Sequence, residues 1–241
     1  MLYGIIADIH GNSVAFDAVL KELEAAKPDQ LLCLGDVVGY GADPIGCIER
    51  IRDRDIPTVV GNHDAAAFGG IDPGYFNYEA QASIQWTIEA LAPSHVQFLR
   101  ELPWTFEADG FIGAHGSLSD PKEFEYILTF GDATECIKAQ GSPLSFVAHS
   151  HVPVSFMTDG KDVWASMGAE YVIPKNAQAV INVGSVGQPR DGDPRAAYAL
   201  YDSDAGKAQI LRVEYDVDAA AGQIEEAGLP ASNAHRLYLG R

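Results

Sequence analysis

The stretch Ala7-Asp8-Ile9-His10-Gly11-Asn12 follows the first predicted strand, which runs from Leu2 to Ala7 as a short apolar segment without a helical period. Residues two apart along a strand point the same way, so Asp8 and His10 can direct a carboxylate and an imidazole at one point. In open α/β sheets, ligands bind beyond the carboxyl ends of the strands. This pair of ligand types suits a divalent metal. Taken alone, the stretch is explained equally well by a turn whose Asp and His bond only to backbone.

The next two predicted strands also end in polar side chains. Gln30 to Leu34 leads into Gly35-Asp36, and Pro57 to Val60 leads into Gly61-Asn62-His63-Asp64. Apolar periodicity predicts amphipathic helices between these strands, over Ser13 to Ala26 and, after Pro44, over Ile45 to Arg52. Three successive strand ends therefore offer groups that bind metal or donate protons.

Residues 65 to 102 are predicted to be a helical insertion between sheet strands. Two turns rich in Gly and Pro precede helices over Glu79 to Leu91 and Val96 to Leu102, and Ser94 is the expected N-cap of the second helix. We expect the insertion to overhang the site within a single domain of residues 1–241.

Two later predicted strands are each followed directly by histidines. Asp109-Gly110 predicts a hairpin whose second strand, Phe111 to Ala114, precedes His115. The apolar strand Leu144 to Ala148 leads into His149-Ser150-His151. Together, five of the seven histidines lie at or near a predicted strand end, whereas His95 and His235 do not and are assigned to the surface.

After residue 152 the pattern changes to short strands separated by turns. We expect this half to form a mostly antiparallel sheet packed against the first. Its last element is predicted to be a helix over Asp218 to Ala227, with His235 in a tail beyond it.

Composition limits the classes of function. The chain has 241 residues, which suits one large domain or two small ones, and a formal net charge of −18. This charge argues against general nucleic-acid binding and against a membrane surface, since such binders carry basic patches. No apolar run is long enough to span a membrane, and we expect no signal peptide. Three cysteines without metal-type spacing indicate core thiols and a cytoplasmic protein.

Taken in order, the motifs Asp-x-His, Gly-Asp, Gly-Asn-His-Asp, a lone His and His-x-His resemble those of the calcineurin-like metallophosphoesterases. Gly39-Tyr40-Gly41 and the loop Gly184 to Arg190 resemble a small prokaryotic phosphodiesterase and phosphatase branch of that superfamily. The resemblance spans roughly residues 1 to 200 and implies an α/β fold, a four-layer α/β/β/α sandwich of two mixed sheets with a two-metal site. Ala148 and Ser150 replace the usual Gly and Thr beside the last two histidines, a change expected to affect packing and leave ligation intact.

The resemblance also implies roles for single residues. One ion takes Asp8, His10, Asp36 and His151, and Asp36 bridges to a second ion that takes Asn62, His115 and His149. His63 resembles the general acid or leaving-group stabiliser, and we expect Asp64 to hold its ring and raise its pKa. Mixed N and O ligands without a thiolate suit two divalent transition-metal ions, with Mn preferred and Fe, Zn, Ni or Co as alternatives.

Three further residues are candidates for binding substrate, namely Asn12, Tyr40 and Arg190. Arg190 offers the bidentate geometry that suits a phosphate, but a surface arginine in a polar loop explains it equally well. The same doubt applies to Asn12 and Tyr40.

The resulting hypothesis is a di-metal hydrolase that cleaves a small phosphodiester or phosphomonoester by metal-activated water. A dinucleoside polyphosphate hydrolase remains open. A protein phosphatase is a further alternative, although the larger enzymes of that kind add arginines and only Arg190 is a candidate here. A non-catalytic scaffold is less expected, because His63 and all seven implied ligands are present. The sequence leaves the oligomeric state open.

Overall fold

The computed structural model describes residues 1–108 and 110–241. The strands of this part of the chain are β1 (Leu2–Ile6), β2 (Gln30–Cys33), β3 (Thr105–Ala108), β4 (Phe111–Ala114), β5 (Leu144–Val147), β6 (Val154–Thr158), β7 (Val163–Ser166), β8 (Glu170–Val172), β9 (Gln178–Asn182), β10 (Ala196–Asp202) and β11 (Lys207–Val213). The helices are α1 (Ser13–Ala26), α2 (Pro44–Asp53), α3 (Asn62–Ala67), α4 (Tyr78–Ala90), α5 (Pro93–Glu101), α6 (Phe130–Ala139), α7 (Val217–Glu226) and α8 (Ala231–Leu239), with a 3₁₀ turn at Pro73–Tyr75.

These strands form two mixed sheets. The first has the order β2-β1-β10-β11-β8, in which β1 pairs parallel with β2 and antiparallel with β10. The second has the order β3-β4-β5-β9-β6-β7, in which β5 pairs parallel with both β4 and β9. The parallel pairs bring the carboxyl ends of β1 and β2, and those of β4 and β5, to a common edge of their sheets.

One core lies between the two sheets. Ile5 and Leu34 of the first sheet region pack in one cluster with Phe111 and Phe146 of the second. The outer face of the first sheet is covered by α1 and α2, through residues such as Phe16 and through Ile48 and Ile51; full burial of such a side chain contributes about 1.5–3 kcal/mol. The outer face of the second sheet is covered by α6. The predicted four-layer α/β/β/α sandwich is confirmed.

The prediction of a third strand over Pro57 to Val60 is wrong. Pro57 to Val60 is extended, but its ladder is reduced to a single parallel bridge between Thr58 and Cys33. Pro57 has no N–H, and the N–H of Val60 donates to Pro103 O at 2.8 Å rather than to a neighbouring strand. The segment still places Asn62 and His63 beside the carboxyl end of β2.

The prediction that the second half forms a sheet of its own is also wrong. Strands β6, β7 and β9 complete the second sheet, whereas β8, β10 and β11 complete the first. Alternating short strands do not reveal which sheet they join, because partners separated by two hundred residues leave no local signal. For example, Leu2 of β1 pairs with Asp202 of β10.

Smaller differences concern the helices and one turn. Ala92, not Ser94, is the N-cap of α5, because Pro93 occupies the first helical turn and needs no hydrogen-bond acceptor. The segment around His235, predicted as a tail, forms helix α8. The side chain of His95 is half-buried, and its Nε2 lies 3.0 Å from Glu49 Oε1. The β3–β4 hairpin is confirmed by antiparallel pairing, although Asp109 of its turn lies outside the described residues. Among the described helices, none is long and apolar enough to cross a bilayer.

Candidate metal centre

Loops from both halves of the chain meet where β1 ends. The N–H groups of Asp8 and His10 donate to Gly35 O and Asp36 O, which joins the loop after β1 to the loop after β2. From the far half, the N–H of Gly187 donates to Asp8 O at 2.9 Å. In the second sheet, the N–H of Ala148 donates to His115 O at 2.9 Å. Backbone hydrogen bonds therefore join the loop of Asp8 and His10 to that of Asp36, and the loop of His115 to that of His149 and His151.

Residues with a left-handed backbone conformation are concentrated at this site. Of the implied ligands, five have positive φ angles: Asp8 (52°), His10 (51°), Asp36 (53°), His149 (69°) and His151 (60°). Such a conformation costs an L-residue about 1–2 kcal/mol, so the surrounding hydrogen bonds must maintain it. The expected convergence of Asp8 and His10 is present, but it arises from these turns and not from strand alternation, because β1 ends at Ile6.

Three imidazoles are held in the same way. The Nδ1 atoms of His10, His115 and His151 lie 3.1, 2.7 and 2.5 Å from the carbonyl oxygens of Val38, Leu34 and Gln188. A carbonyl oxygen only accepts hydrogen bonds, so each Nδ1 carries the proton. Each ring then directs Nε2 at the site, and this nitrogen can bind a metal ion when it carries no proton, as in metal-binding histidines.

The two carboxylates lie between these rings. Asp36 accepts the backbone N–H of His63 through Oδ1 at 2.8 Å, and its Oδ2 lies 3.5 Å from His10 Nε2 and 3.3 Å from His115 Nε2. Asp8 accepts the N–H of His149 through Oδ2 at 3.1 Å. Asn62 Oδ1 lies 3.1 Å from His115 Nε2. One oxygen of Asp36 thus faces both the His10 side and the His115 side of the cluster.

A buried atom without a partner shows that this donor set fits cations. Asp8 Oδ1 is fully buried and has no hydrogen-bond donor among the described residues. It lies 3.5 Å from His151 Nε2 and 3.8 Å from His10 Nε2. An unpaired buried carboxylate oxygen is costly, whereas a divalent ion between it and two imidazole nitrogens satisfies all three atoms.

Three groups of side chains bring potential ligand atoms within 4.8 Å of one another. Their members are Asp8, His10 and His151; Asp36, His115 and His149; and His10, Asp36 and His63. The first group contains three of the four ligands that the resemblance implies for one ion, without Asp36, and the second contains three of the four for the other ion, without Asn62. The third places His63 nearer to ligand positions than expected for a residue that only faces substrate.

Burial and mutual charge shift the pKa values of the cluster. Burial raises the pKa of Asp8 to about 7. Burial also opposes the charge of Asp36, but His115 and His63 hold its pKa well below the usual value. Burial opposes protonation of His115, but Asp36 and Asp8 raise its pKa to about 9. For His10, burial lowers the pKa far below its usual value, which favours the neutral, ligating form.

The predicted contact between Asp64 and His63 is wrong. Asp64 accepts the N–H groups of Val37 and Val38 at 3.0 and 3.2 Å through Oδ1, and that of Gly61 at 3.1 Å through Oδ2. Both oxygens of the Asp64 carboxylate thus accept hydrogen bonds from backbone N–H groups. His63 Nδ1 has no partner among the described residues, and burial lowers the pKa of His63 to about 4 rather than raising it.

The three candidate substrate contacts have different surroundings. Asn12 is buried, caps α1 through Ala15 N at 3.0 Å and donates to Gly187 O at 2.9 Å, so both ends of its amide serve the fold and the substrate role is not supported. The ring of Tyr40 lies 4.6 Å from the ring of His63. Arg190 is half-buried, and its guanidinium carbon lies 5.5 Å from the Tyr40 ring centre.

Sequence reasoning missed Arg236, whose guanidinium carbon lies 5.9 Å from the same Tyr40 ring. It belongs to α8, which was predicted as a tail, so no local pattern connected it with the site.

A cavity of about 790 Å³ opens beside the cluster. Its lining includes His63, Asn62 and His149 and several aromatic residues. Tyr126 stacks on His149 with ring centres 3.8 Å apart, and Phe76 from the insertion lies 4.8 Å from the ring of His63. The insertion thus supplies part of the cavity lining, namely Ile71, Asp72, Tyr75, Phe76, Asn77 and Ala80.

Comparisons with known proteins agree with the geometry of the site. The family model for the calcineurin-like phosphoesterase superfamily domain matches residues 1–206. The chain belongs to this superfamily. It is 37% identical to the uncharacterised protein MJ0912 of Methanocaldococcus jannaschii over 244 residues, covering 100% of this chain and 98% of that protein.

Solved structures show the same similarity. A metallophosphoesterase from Sphaerobacter thermophilus superposes with a TM-score of 0.88 and 38% identity, covering 100% of this chain and 99% of that one. The hypothetical protein PH1004 of Pyrococcus horikoshii has a TM-score of 0.82 at 24% identity, covering 100% and 98%, which supports the fold. This calcineurin-like phosphoesterase is therefore a metal-dependent enzyme that hydrolyses phosphoester bonds, and the superfamily implies divalent metal ions.

Proposed function

We propose that this phosphoesterase is a two-metal hydrolase of a small organic phosphodiester or phosphomonoester. The observation that carries the proposal is the position of Asp36 Oδ2 between His10 Nε2 at 3.5 Å and His115 Nε2 at 3.3 Å. A single carboxylate oxygen that faces imidazoles on two sides suits a bridging ligand. The ligands of one ion are then Asp8, His10, Asp36 and His151, and those of the other are Asp36, Asn62, His115 and His149.

The donor chemistry supports divalent transition metals. No cysteine thiolate lies in the three ligand groups, and the nitrogen and oxygen donors suit Mn²⁺, with Fe, Zn²⁺, Ni²⁺ or Co²⁺ as alternatives. When bound, two such ions supply Lewis-acid charge to the phosphoryl oxygens and make water nucleophilic near neutral pH. We place the protein in the cytoplasm, because its three cysteines are free and buried.

The chain's own residues then complete the site. His63, 4% exposed and in the cavity lining, is the group we assign to the leaving oxygen. Because burial lowers its pKa to about 4 in the metal-free chain, the ring is neutral near pH 7 and stabilises the leaving oxygen by a hydrogen bond. General acid catalysis, which contributes about 10²–10⁴-fold, requires that the bound phosphate raise this pKa. Asp64 acts only indirectly, by holding the loop after β2 through Val37 and Val38. The aromatic side chains can pack against an organic group larger than a phosphate.

A substrate panel with separate metals tests this proposal. Nitrophenyl mono- and diesters, cyclic nucleotides, dinucleotides and phosphopeptides are assayed with Mn²⁺, Ni²⁺, Zn²⁺ and Mg²⁺, and metal content is measured after purification without chelator. We expect about two transition-metal ions per chain and hydrolysis of a small ester. Asp36→Asn should lose metal and activity, whereas Asp17→Asn on the exposed face of α1 should not. An Asp36→Asn protein with both ions and full activity contradicts the bridging role.

A further inference from the structure

Helix α8 delivers a second arginine to the region of the metal centre. The helix packs with α7 in an apolar cluster that includes Leu237 and Ile224, and Asn233 donates to Ser83 Oγ of α4 at 2.8 Å. This docking places the Arg236 guanidinium over Tyr40, whose ring also faces Arg190. The two cationic side chains thus come from different elements and share one buried aromatic ring.

Neither arginine has an acidic partner. Within the described part of the chain, no carboxylate oxygen lies within 4.0 Å of Arg190 or Arg236, although the protein has 34 acidic and 16 basic residues. Five other arginines do pair with carboxylates, namely Arg50, Arg52, Arg54, Arg195 and Arg212. Among the described residues, the Arg190 guanidinium donates to the neutral amide oxygen of Gln188, at 2.7 and 3.2 Å.

The two charges act on each other at partly buried positions. Burial and the neighbouring Arg190 lower the pKa of Arg236. Glu79 acts on Arg236 in the opposite direction, but the pKa of Arg236 is still lowered, so this carboxylate offsets the repulsion between the two guanidinium groups only in part. A bound oxyanion removes this cost through charge-assisted hydrogen bonds.

The pair lies close to the reacting centre. The Tyr40 ring centre is 4.6 Å from that of His63 and 4.8 Å from that of His10. Tyr40 also lines the cavity, together with His63 and the implied ligands Asn62 and His149. The same Tyr40 ring thus lies within about 6 Å of both guanidinium carbons and of the rings of His63 and His10.

We propose that Arg190 and Arg236 form a second-anion subsite, which binds an oxyanion of the substrate other than the phosphoryl group that is hydrolysed. The substrate class is a phosphoester that carries a further phosphate or carboxylate on its leaving group. This inference rests on the proposed function for the position of the first phosphoryl group. The competing explanation is structural, since Arg236 Nε also donates to Arg241 O at 2.8 Å and so stabilises the end of α8.

Calorimetry with non-hydrolysable ligands separates the two explanations. The ligands are phenylphosphonate and its 3- and 4-carboxy derivatives, titrated into the full chain loaded with Mn²⁺. We expect at least one carboxy derivative to bind the wild type about tenfold or more tightly than phenylphosphonate, as a charged hydrogen-bonded pair allows. Arg236→Gln and Arg190→Gln should each reduce this preference to about twofold or less, whereas Arg236→Lys should retain part of it.

Arg100→Gln is the matched control. Arg100 also lies over an aromatic ring, Phe68, donates to a backbone carbonyl and has no carboxylate partner within 4.0 Å among the described residues, but it belongs to α5. Its replacement should leave the preference unchanged. Equal affinity of the wild type for all three ligands overturns the subsite, as does a preference that survives both glutamine variants.

Two measurements keep this outcome independent of folding and of the proposed function. Thermal unfolding of each variant shows whether α8 remains docked. If Arg236→Gln unfolds, the ratio of affinities in Arg190→Gln and Arg236→Lys decides the inference. Binding requires no hydrolysis, so a wild type that distinguishes the ligands but cleaves no ester contradicts the proposed function alone. A wild type that cleaves esters but does not distinguish the ligands contradicts the subsite alone.

Discussion

The Nε2 atoms of His10 and His151 lie 3.1 Å apart, although each ring directs its Nδ1 at a backbone carbonyl. Two unprotonated nitrogens at this distance direct lone pairs at each other, which is unfavourable without a cation between them. The hydrogen bonds to Val38 and Gln188 therefore hold the rings ready for an ion rather than for each other.

Removal of one of these rings tests the pair. His151→Ala is expected to lower the metal content by about one ion per chain and to reduce activity on nitrophenyl esters by at least ~100-fold. His235→Ala, on the exposed face of α8, should change neither value. The measurement is elemental analysis after gel filtration, together with initial rates. Full metal content in His151→Ala contradicts the assignment of this residue as a ligand.

The close approach of Gly61 to Asp36 predicts a steric effect on the metal centre. A Cβ at residue 61 would overlap Asp36 Oδ1 and the Asp36 amide. Since φ at Gly61 is −99°, alanine is conformationally permitted there and the conflict is one of space alone. Gly61→Ala should cost about 1–3 kcal/mol of unfolding free energy and weaken metal binding.

Gly222→Ala in α7 is the control, because a Cβ there meets no atom within 4 Å. It should be neutral or stabilise by up to about 1 kcal/mol. Urea unfolding of both variants makes the comparison. Equal effects of the two substitutions would mean that Asp36 has room to move.

The charge of His115 predicts that the metal-free protein loses stability as pH rises. Its pKa is about 9 in the folded chain and 6.5 as an ordinary histidine. The folded state therefore binds more protons in this range, so the stabilisation is complete below about pH 6.5 and is lost as pH rises towards 9. We expect a loss on the order of 1–3 kcal/mol between about pH 7 and 9.

The measurement is urea unfolding of chelator-treated protein at several pH values. His115→Asn, which has no ring to protonate, should show a smaller decrease. Saturating Mn²⁺ should also weaken the decrease, because a ligated His115 carries no proton on Nε2. A flat profile for the metal-free wild type contradicts the charged pair of His115 and Asp36.

His63 and Asp64 are expected to have separable effects. His63→Gln should retain both ions and lose activity unevenly, by about 10²-fold or more on alkyl esters and by less on nitrophenyl esters, because nitrophenolate leaves without protonation. Loss of a metal ion in His63→Gln would make this residue a ligand, as its proximity to His10 and Asp36 allows. Equal losses on both esters would assign it to the phosphoryl charge instead.

Asp64→Asn should instead lower stability by about 1–3 kcal/mol, because one of the backbone donors at Val37, Val38 or Gly61 loses its acceptor. The ratio of alkyl to nitrophenyl rates should stay at the wild-type value. Thermal unfolding and the two rates distinguish the residues. A shifted ratio in Asp64→Asn would restore the direct partnership with His63 that the structure lacks.

The insertion predicts an effect on substrate size. Tyr75 is 90% exposed and lines the cavity, whereas Tyr78 is 77% exposed and does not line it. Tyr75→Ala should raise KM for naphthyl phosphate about 2- to 10-fold through lost aromatic contact, with a smaller change for methyl phosphate. Tyr78→Ala is the control and should change neither KM. Equal selectivity of the two variants would assign the exposed Tyr75 to another role.

The ligand types were predictable because the chain places them in short motifs directly after strands. Asp8, His10, Asp36 and the pair at 149 and 151 needed only the rule that strand ends share a sheet edge. The third strand failed because apolar residues before Asn62 look the same whether they complete a ladder or form one bridge at Thr58. The position of the site survived this error, since the turn still begins at the correct residue.

Contacts between distant segments were not predictable. Asp64 binds the backbone of Val37 and Val38 rather than the ring next to it, which depends on how two loops pack. Arg236 reaches Tyr40 only because α8 docks on α4 and α7. Periodicity describes the face of an element but not its partner, so residues brought in by docking escape sequence reasoning.

The pairing of β1 with β10 has a consequence for the order of folding. Asp8 belongs to the first loop of the chain, yet its main-chain oxygen accepts hydrogen bonds from the Ser185 hydroxyl and the Gly187 N–H. Its neighbour in the site, His151, is 143 residues away in sequence. Such non-local contacts form slowly, after local helices and hairpins. The metal centre therefore takes shape late in folding, and metal ions stabilise the finished chain rather than its early intermediates.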